Sequence, residues 1–476
     1  MKFCKEIYEY PQYDVVIAGG GPAGIGAGIA AARAGLRAIL IESNCCLGGV
    51  STAGALPFYL GAYGGSIPFP QMLKKGLSYK ELDRSFRAVG GIFEDMIQRV
   101  TAAGGGVGPC KMAQNDKYEG LDRLGCHDEF TFDIEIGKRV LDDMAREAGL
   151  EILYYSHAIG CECDGNIIKG VYVTNKNGLT YIPCKAVIDC TGDADIIADA
   201  GFPTYKGDRK TGEMCHAGLV AHLEDIDSAE MAEYLNSGGD PWFRDICERA
   251  KLENPDLDLP NRLIIFPMTR DGVYMINGGT STFGIDGTSA EDRTRLTLWA
   301  RQRAKNLCDV LFKKYIPGGE NCKIRLTAYY PGVRETRRIV GETTLSEELI
   351  LSPEKPQDII ALAGRHFDLR RKSMIDANGK NQSQPFAEKK LPFKAAGIPY
   401  GALIPKGSYN VLAAGRCIAA DGQALGPARI MSTCMAVGEA AGTAAAFMVE
   451  NGISFKDVDI VALRDKLREN GAIVDL

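Results

Sequence analysis

The chain is poor in the residues that would place it in several functional classes. Of its 476 residues only five are histidine and two tryptophan, and the histidines form no ligand-spaced cluster. Lys and Arg number 55 against 61 Asp and Glu, a net charge of −6. A nucleic-acid binder would usually show a basic excess instead. The longest apolar stretches are broken by Arg33, Arg37 or Glu439, so no membrane span is expected. The opening MKFCKEIYEYPQY has no apolar segment of the signal-peptide kind. Fifteen cysteines are scattered without a disulfide framework, which fits reduced thiols in a cytoplasmic protein. There is no internal repeat and no low-complexity linker. What remains is 45% apolar and 24% charged, the balance of a soluble chain long enough for two or three domains.

One stretch is rich where the rest is ordinary. Asp14 to Glu42 reads DVVIAGGGPAGIGAGIAAARAGLRAILIE. An apolar strand runs to Ala18, and Gly19 to Gly24 satisfies G-x-G-x-x-G. Gly19 permits the tight turn, Gly21 lets backbone approach a pyrophosphate, and Gly24 lets a helix lie close on the strand. The helix is expected over Pro22–Ala34, with Gly35 as its stop. Pro22 and Ala23 open it, so free N–H groups and the positive dipole end face the phosphates. A second strand, Arg37 to Ile41, ends on Glu42. A carboxylate there accepts ribose hydroxyls and repels a 2′-phosphate, which disfavours NADP. The fingerprint alone does not separate FAD from NAD.

Three further segments carry the distinction. SNCCLGGVSTAGALP follows Glu42 and supplies Ser43, the Gly48-Gly49 pair, Val50 and Ser51. KAVIDCTGDADIIADAG gives a strand over Ala186–Cys190 that ends at Thr191-Gly192. NVLAAGRCIAADGQALGPARIMSTCMAVGEAAGTAAAF gives a strand ending at Gly415-Arg416, a loop with Asp421, and a small-residue helix beginning near Ile430-Met431-Ser432. These segments resemble those of FAD-dependent oxidoreductases with the glutathione-reductase-like fold. More narrowly, they resemble the family related to the fumarate reductase and succinate dehydrogenase flavoproteins. YYPGVRETRRIVGETTLSEELIL, IPYGALIPKGSYNVLAAGRC and ARIMSTCMAVGEAAGTAAA are similar to that family's signatures in order and spacing.

The resemblance implies an α/β fold: a Rossmann-like FAD-binding domain with a discontinuous, β-rich α+β substrate domain. The FAD-binding domain is expected over 1–60, 129–202 and 331–476, and the substrate domain over 203–330. Residues 61–128, glycine-rich and irregular, are expected as an insertion over the active site or a surface loop. Within the first domain, a helix over Asp133–Ala148, a strand over Glu151–Tyr155 and a β-meander after Ala158 are expected. Ala158 stands where this fold usually contacts adenine through backbone. The resemblance also implies a tightly held FAD. No histidine occurs at Gly49-Val50-Ser51 to tether it, so binding is expected to be noncovalent.

For the chemistry, the helix starting at Ile430 is expected to aim its positive end at the flavin pyrimidine edge. Arg334 and Arg338, in RETRR after a Pro-Gly turn, are candidates to hold an anionic or carbonyl substrate; an ion-pair network between domains is the alternative. Relatives often carry an acid and a histidine near ALAGRHFDLRR. Here Asp368 matches the acid, Arg370 stands where the histidine would be, and His366 lies two residues before the acid, so His366 and Arg370 are both candidates. Tyr400, in IPYG, is a candidate to line the flavin face. The adjacent Cys45-Cys46 lack the spacing of a flavin disulfide reductase, and Cys161 and Cys163 have no matching pair for a metal or iron–sulfur site.

The sequence therefore predicts an FAD-dependent oxidoreductase moving a hydride between flavin N5 and a small polar organic substrate. Hydroxy or keto compounds, sugars and activated alkenes all fit. No second fingerprint marks an NAD(P)H domain, so an external electron acceptor or donor is expected. An electron-transfer subunit of a larger complex and an NAD-dependent enzyme without flavin are the alternatives.

Overall fold

The computed structural model describes residues 6–64, 85–107, 117–124, 130–365, 367–374 and 392–476. Its organising element is the strand Gly178–Asp189. The first half of this strand pairs antiparallel with Ile167–Asn175, which pairs in turn with His157–Asp164. Its second half pairs parallel with Tyr13–Ala18 on one side and Val411–Ala413 on the other. Tyr13–Ala18 then pairs with Ala38–Ile41, and that strand with Glu151–Leu153, both parallel. One strand thus joins a parallel layer to an antiparallel meander. The central parallel strands Val15–Ala18 and Ala38–Ile41 are continuously apolar and buried, as strands covered on both faces must be, while the edge strand Glu151–Leu153 is partly exposed.

The expected elements form close to their predicted bounds. Pro22–Arg33 is helical with Gly21 as N-cap and proline at its first position. Ile134–Ala148 is capped by Asp133, whose carboxylate accepts from the Glu135 and Ile136 N–H groups, and it stops at Gly149 in the left-handed conformation. The strand expected to begin at Ala186 begins instead at Gly178.

Met431–Asn451 is the longest helix among the described residues that is apolar enough to cross a membrane, and 83% of its apolar window is buried inside the protein. Its partner is Pro22–Arg33. A Cβ on Gly438 would stand 1.9 Å from the Ala23 carbonyl oxygen, and one on Gly26 would stand 2.2 Å from that of Met435. The two backbones touch without side chains between them, which only glycine allows.

A second lobe is built on the antiparallel sheet Ile265–Pro267, Tyr274–Ile276, Ala221–Glu224 and Lys323–Thr327, in that spatial order. Its core packs Leu223, Phe243, Ile276, Leu311 and Phe312. The long helix expected here runs over Ala290–Asn306 and continues through a π-helical segment, Leu307–Phe312. The 61–128 stretch divides between the two lobes where it is described. Helix Gly91–Ala102 packs into the first core, while Leu121 and Leu124 are buried in the second.

Candidate active site

The glycine turns of the fingerprint, of Gly48-Gly49, of Gly192 and of Gly415 collect at the carboxyl ends of the parallel strands, where open α/β sheets bind ligands. Gly19, after the first strand, has φ +105°, and a Cβ on Gly24 would lie 1.8 Å from its carbonyl oxygen. A Cβ on Gly21 would meet nothing within 4 Å, so the N-terminus of Pro22–Arg33 opens onto free space. Gly48 and Gly49 both have positive φ, and a Cβ on Gly49 would stand 2.9 Å from Gly21 Cα. Val50 and Ser51 complete a 3₁₀ turn, in which Ser51 Oγ donates to the Gly48 carbonyl. Gly415, φ +93°, closes against Ala23.

Glu42 lies at the end of the next strand, 4% exposed. Its carboxylate accepts from Gly20 N, from Asn44 N and Nδ2, each at 2.7 Å, and from Ser43 Oγ at 3.2 Å. Ala158 lies on the His157–Asp164 strand, paired with Val173. Thr191 Oγ1 donates to Asp189, and Gly192 carries the Arg416 guanidinium over its backbone.

Around these turns sits a group the sequence did not single out. Asp193 accepts from Arg416 Nη2 at 2.6 Å, from Arg293 Nη2 at 2.8 Å and from the Thr336 hydroxyl. Burial raises its carboxyl pKa, but Arg416, Thr336 and Arg293 together hold it below the usual aspartate range. The Tyr330 hydroxyl reaches within 3.2 Å of the Cβ position at Gly49. Burial and the neighbouring Glu42 push its ionisation upward, so it stays a neutral donor.

Gly438 stands level with Ala23, so the helix start at Met431 projects seven residues, about 10 Å, beyond that level. Its N-cap, Ile430, makes no side-chain cap, and the first turn holds no acid. Ser432 Oγ donates to the Leu60 carbonyl, while Thr433 Oγ1 is buried without a partner.

At this helix start a second group assembles from four separate segments. Arg334 Nη1 donates to the His216 carbonyl at 3.3 Å. Cys215 Sγ donates to the Arg370 carbonyl at 2.9 Å, and Arg429 Nη2 donates to that of Asp368 at 2.7 Å. Arg370 Nε stands 3.7 Å from the Asp368 carboxylate. Burial and then repulsion from Arg429 bring the Arg334 guanidinium down to about 10. Burial, followed by Arg334, Arg370 and Arg429, holds the His216 imidazole well below its ordinary value, so it is neutral at pH 7. Arg334, Arg370, Arg429 and His216 all remain partly accessible.

Other candidates lie elsewhere. Arg338, expected to face the substrate, is 1% exposed; it donates to the Ala420 and Gly207 carbonyls and pairs with Glu335 at 3.0 Å. Tyr400, expected beside the flavin, is 2% exposed and gives its hydroxyl to the Phe455 carbonyl at 2.9 Å. Asp421 borders an open polar cavity of about 410 Å³ with Arg209, Glu347 and Arg338. His366 lies outside the described residues.

Sequence reasoning passed over His216, Arg429, Tyr330, Asp193 and Arg293. Arg429 had a signal, since it immediately precedes the expected helix start. His216, in MCHAG, had none.

The arrangement fits the dinucleotide that the resemblance implies. Gly21 leaves space where a side chain would block a diphosphate, donors surround that space, and a second uncapped helix end stands about 10 Å further on. A family model described as FAD dependent oxidoreductase matches residues 14–467. Over 56 residues, 12% of the chain, there is 39% identity to thiamine thiazole synthase of Methanothermobacter thermautotrophicus, and the match spans 22% of that protein. Similar solved structures include a geranylgeranyl bacteriochlorophyll reductase-like protein from Thermoplasma acidophilum, at 14% identity and TM-score 0.42, with 98% of this chain and 85% of that one covered. Another is p-nitrophenol 4-monooxygenase from Pseudomonas putida, at 12% identity and TM-score 0.44, with 97% and 85% covered.

Proposed function

Because the chain belongs to the FAD dependent oxidoreductase family, we propose that it moves a hydride between noncovalently held FAD and a small polar organic substrate. The observation that carries this reading is the group of Arg334, Arg370, Arg429 and His216 gathered beside the Met431 helix start, which lies about 10 Å beyond the open N-terminus of the first helix. FAD, when bound, supplies the two-electron chemistry; the protein supplies orientation and electrostatics.

The proposed division of labour follows position. Gly19, Gly21, Gly24, Gly48 and Gly49 bring backbone against the diphosphate, with Arg416 and the Tyr330 hydroxyl beside it. Glu42 and Ser43 face the adenosine ribose, and Ala158 the adenine. The uncapped N–H groups near Met431 face the ring edge where reduction places negative charge. Arg334 and Arg370 orient the substrate. Neutral His216 is placed to exchange a proton with a substrate hydroxyl, the partner of hydride movement at carbon. Electrons then pass to or from an external carrier.

The test is purification followed by identification of the bound cofactor, then anaerobic titration with hydroxy acids, sugars and alcohols. Bleaching of the flavin absorption is the expected result. A flavin that stays oxidised with all of them, with no reduced-dye activity toward their unsaturated counterparts, removes the reading.

A further inference from the structure

We propose that Cys308 and Cys322 form a dithiol oxidised by hydroperoxides, closing to a reversible disulfide that ties the long helix of the second lobe to its sheet. The proposal stands apart from the flavin reading above and does not depend on it.

Both thiols are free and lie in the core of the second lobe, Cys308 3% exposed and Cys322 0%. Their Sγ atoms stand 3.5 Å apart. Each sulfur also meets the other's backbone. Cys308 Sγ lies 3.5 Å from the Cys322 carbonyl oxygen, and Cys322 Sγ lies 3.6 Å from that of Cys308. The two sulfurs thus face each other from positions 14 residues apart in the chain. A disulfide spans about 2.0 Å, so a closure of about 1.5 Å suffices, the scale of a small χ1 adjustment.

Their setting gives the bond something to join. Cys308 lies in the π-helical segment Leu307–Phe312, where the helix Ala290–Asn306 leaves its regular ladder. Such i→i+5 turns are rare and frequently sit at functional positions. Cys322 immediately precedes the strand Lys323–Thr327, which pairs with Ala221–Glu224. Cys161 and Cys163 are the contrast. Their sulfurs stand 3.7 Å apart, but both belong to the strand His157–Asp164. Cα atoms two apart on a strand are about 6.6 Å from each other, at the far limit for a bridge, and a bond there would join the strand only to itself.

The two thiols are unequal. The hydrogen bond from Cys322, opposed by burial and helped by the Lys313 charge, holds Cys308 below the ordinary thiol range. Cys322, which donates that bond and is buried, is raised. Cys308 is therefore the attacking sulfur and Cys322 the resolving one. The Cys308 thiolate attacks one peroxide oxygen, the O–O bond breaks, and the departing oxygen leaves as water or an alcohol after taking a proton. Cys308 is left as a sulfenic acid. The Cys322 sulfur then attacks the Cys308 sulfur, the S–O bond breaks, and the Cys322 proton leaves with the hydroxyl as water. Two thiols have lost two electrons and two protons to one hydroperoxide. A dithiol reductant reverses the bond by exchange.

The test reduces the intact protein, removes the reductant and adds hydrogen peroxide. Remaining thiols are alkylated, and the protein is digested with trypsin under non-reducing conditions. Cleavage after Lys305, Lys313, Lys314 and Lys323 releases Cys308 and Cys322 on separate peptides. Expected is a cross-link between these two peptides in the majority of molecules, removed by dithiothreitol. Cys322→Ser should instead leave Cys308 as a sulfenic acid that dimedone traps, while Cys308→Ser should leave Cys322 open to alkylation. The proposal is overturned if both thiols remain alkylatable after peroxide, or if Cys308 reaches sulfinic acid without any cross-link. A cross-link that forms only in denaturant overturns it equally. Should either variant fail to fold, the peptide map of the wild-type protein decides alone.

Discussion

Arg334 to Arg338 feeds two arginine groups, one buried and one partly accessible. On one side Arg338 and Arg371, 1% and 2% exposed, share the Glu335 carboxylate, Arg371 also reaches the Asp208 carboxylate at 3.4 Å, and Arg338 finishes its bonding on the Ala420 and Gly207 carbonyls. On the other, Arg334 joins Arg370 and Arg429, and among the described residues the carboxylate paired with this group is Asp368, 3.7 Å from Arg370. Five consecutive residues thus divide between balance and imbalance. The balanced group holds the lobes together. The second carries, among the described residues, more guanidiniums than carboxylates, which fits the substrate-orienting role proposed for it. Thr336, between them, turns to Asp193 and Arg416 at the glycine turns.

The contrast can be broken at four places. Glu335→Gln keeps the acceptor for Cys215 N but strips the charge that matches Arg338 and Arg371. It should cost about 3–5 kcal/mol, read as a lowered midpoint in chemical denaturation. Glu439 is the mirror case, a buried anion, whose Oε2 accepts from Ile92 N at 3.0 Å. Burial raises it from 4.5 to about 7. The folded state therefore holds this proton more tightly than the unfolded chain. Its stabilising effect is complete below about pH 4.5 and is lost as pH climbs through about 7, a span of about 3 kcal/mol. Glu439→Gln should flatten stability over that window, and an unchanged slope would assign the titration to another group.

Arg334→Gln is expected to leave stability within about 1 kcal/mol, since it relieves repulsion, while turnover falls about 100-fold. Equal losses in both would erase the distinction between the two groups. The mildest change is Gly21→Ala. Its φ of −68° suits any residue and its Cβ meets nothing, so the fold should be unaffected. Bound flavin, read from visible absorption per protein, should drop about tenfold because the added methyl group enters the diphosphate space.

Much of the first lobe was legible because its signals are local. The glycine fingerprint, the acid at the strand end and the helix beginning at Asp133 each depend on signals within a few residues of themselves. The fates of Arg334 and Arg338 were not legible. Four residues apart, they are told apart only by Arg371 and Arg429, which arrive from elsewhere in the chain. Tyr400 failed for the same reason, since its hydroxyl partner Phe455 is 55 positions away. His216 is set by three arginines from distant segments, and nothing in MCHAG announces them. Non-local pairing likewise sets the order of strands in the second lobe.

The bare contact between Pro22–Arg33 and Met431–Asn451 has a metrical consequence. With backbone against backbone at Ala23 and Gly438, neither rod can slide or come closer without a clash, and spreading would open a void between them, so their leading ends keep a constant stagger. On the proposed function, that stagger is a caliper set to the sugar-alcohol arm between the ring and the phosphates. A flavin analogue with that arm lengthened or shortened by a few carbons could seat one end or the other, but not both.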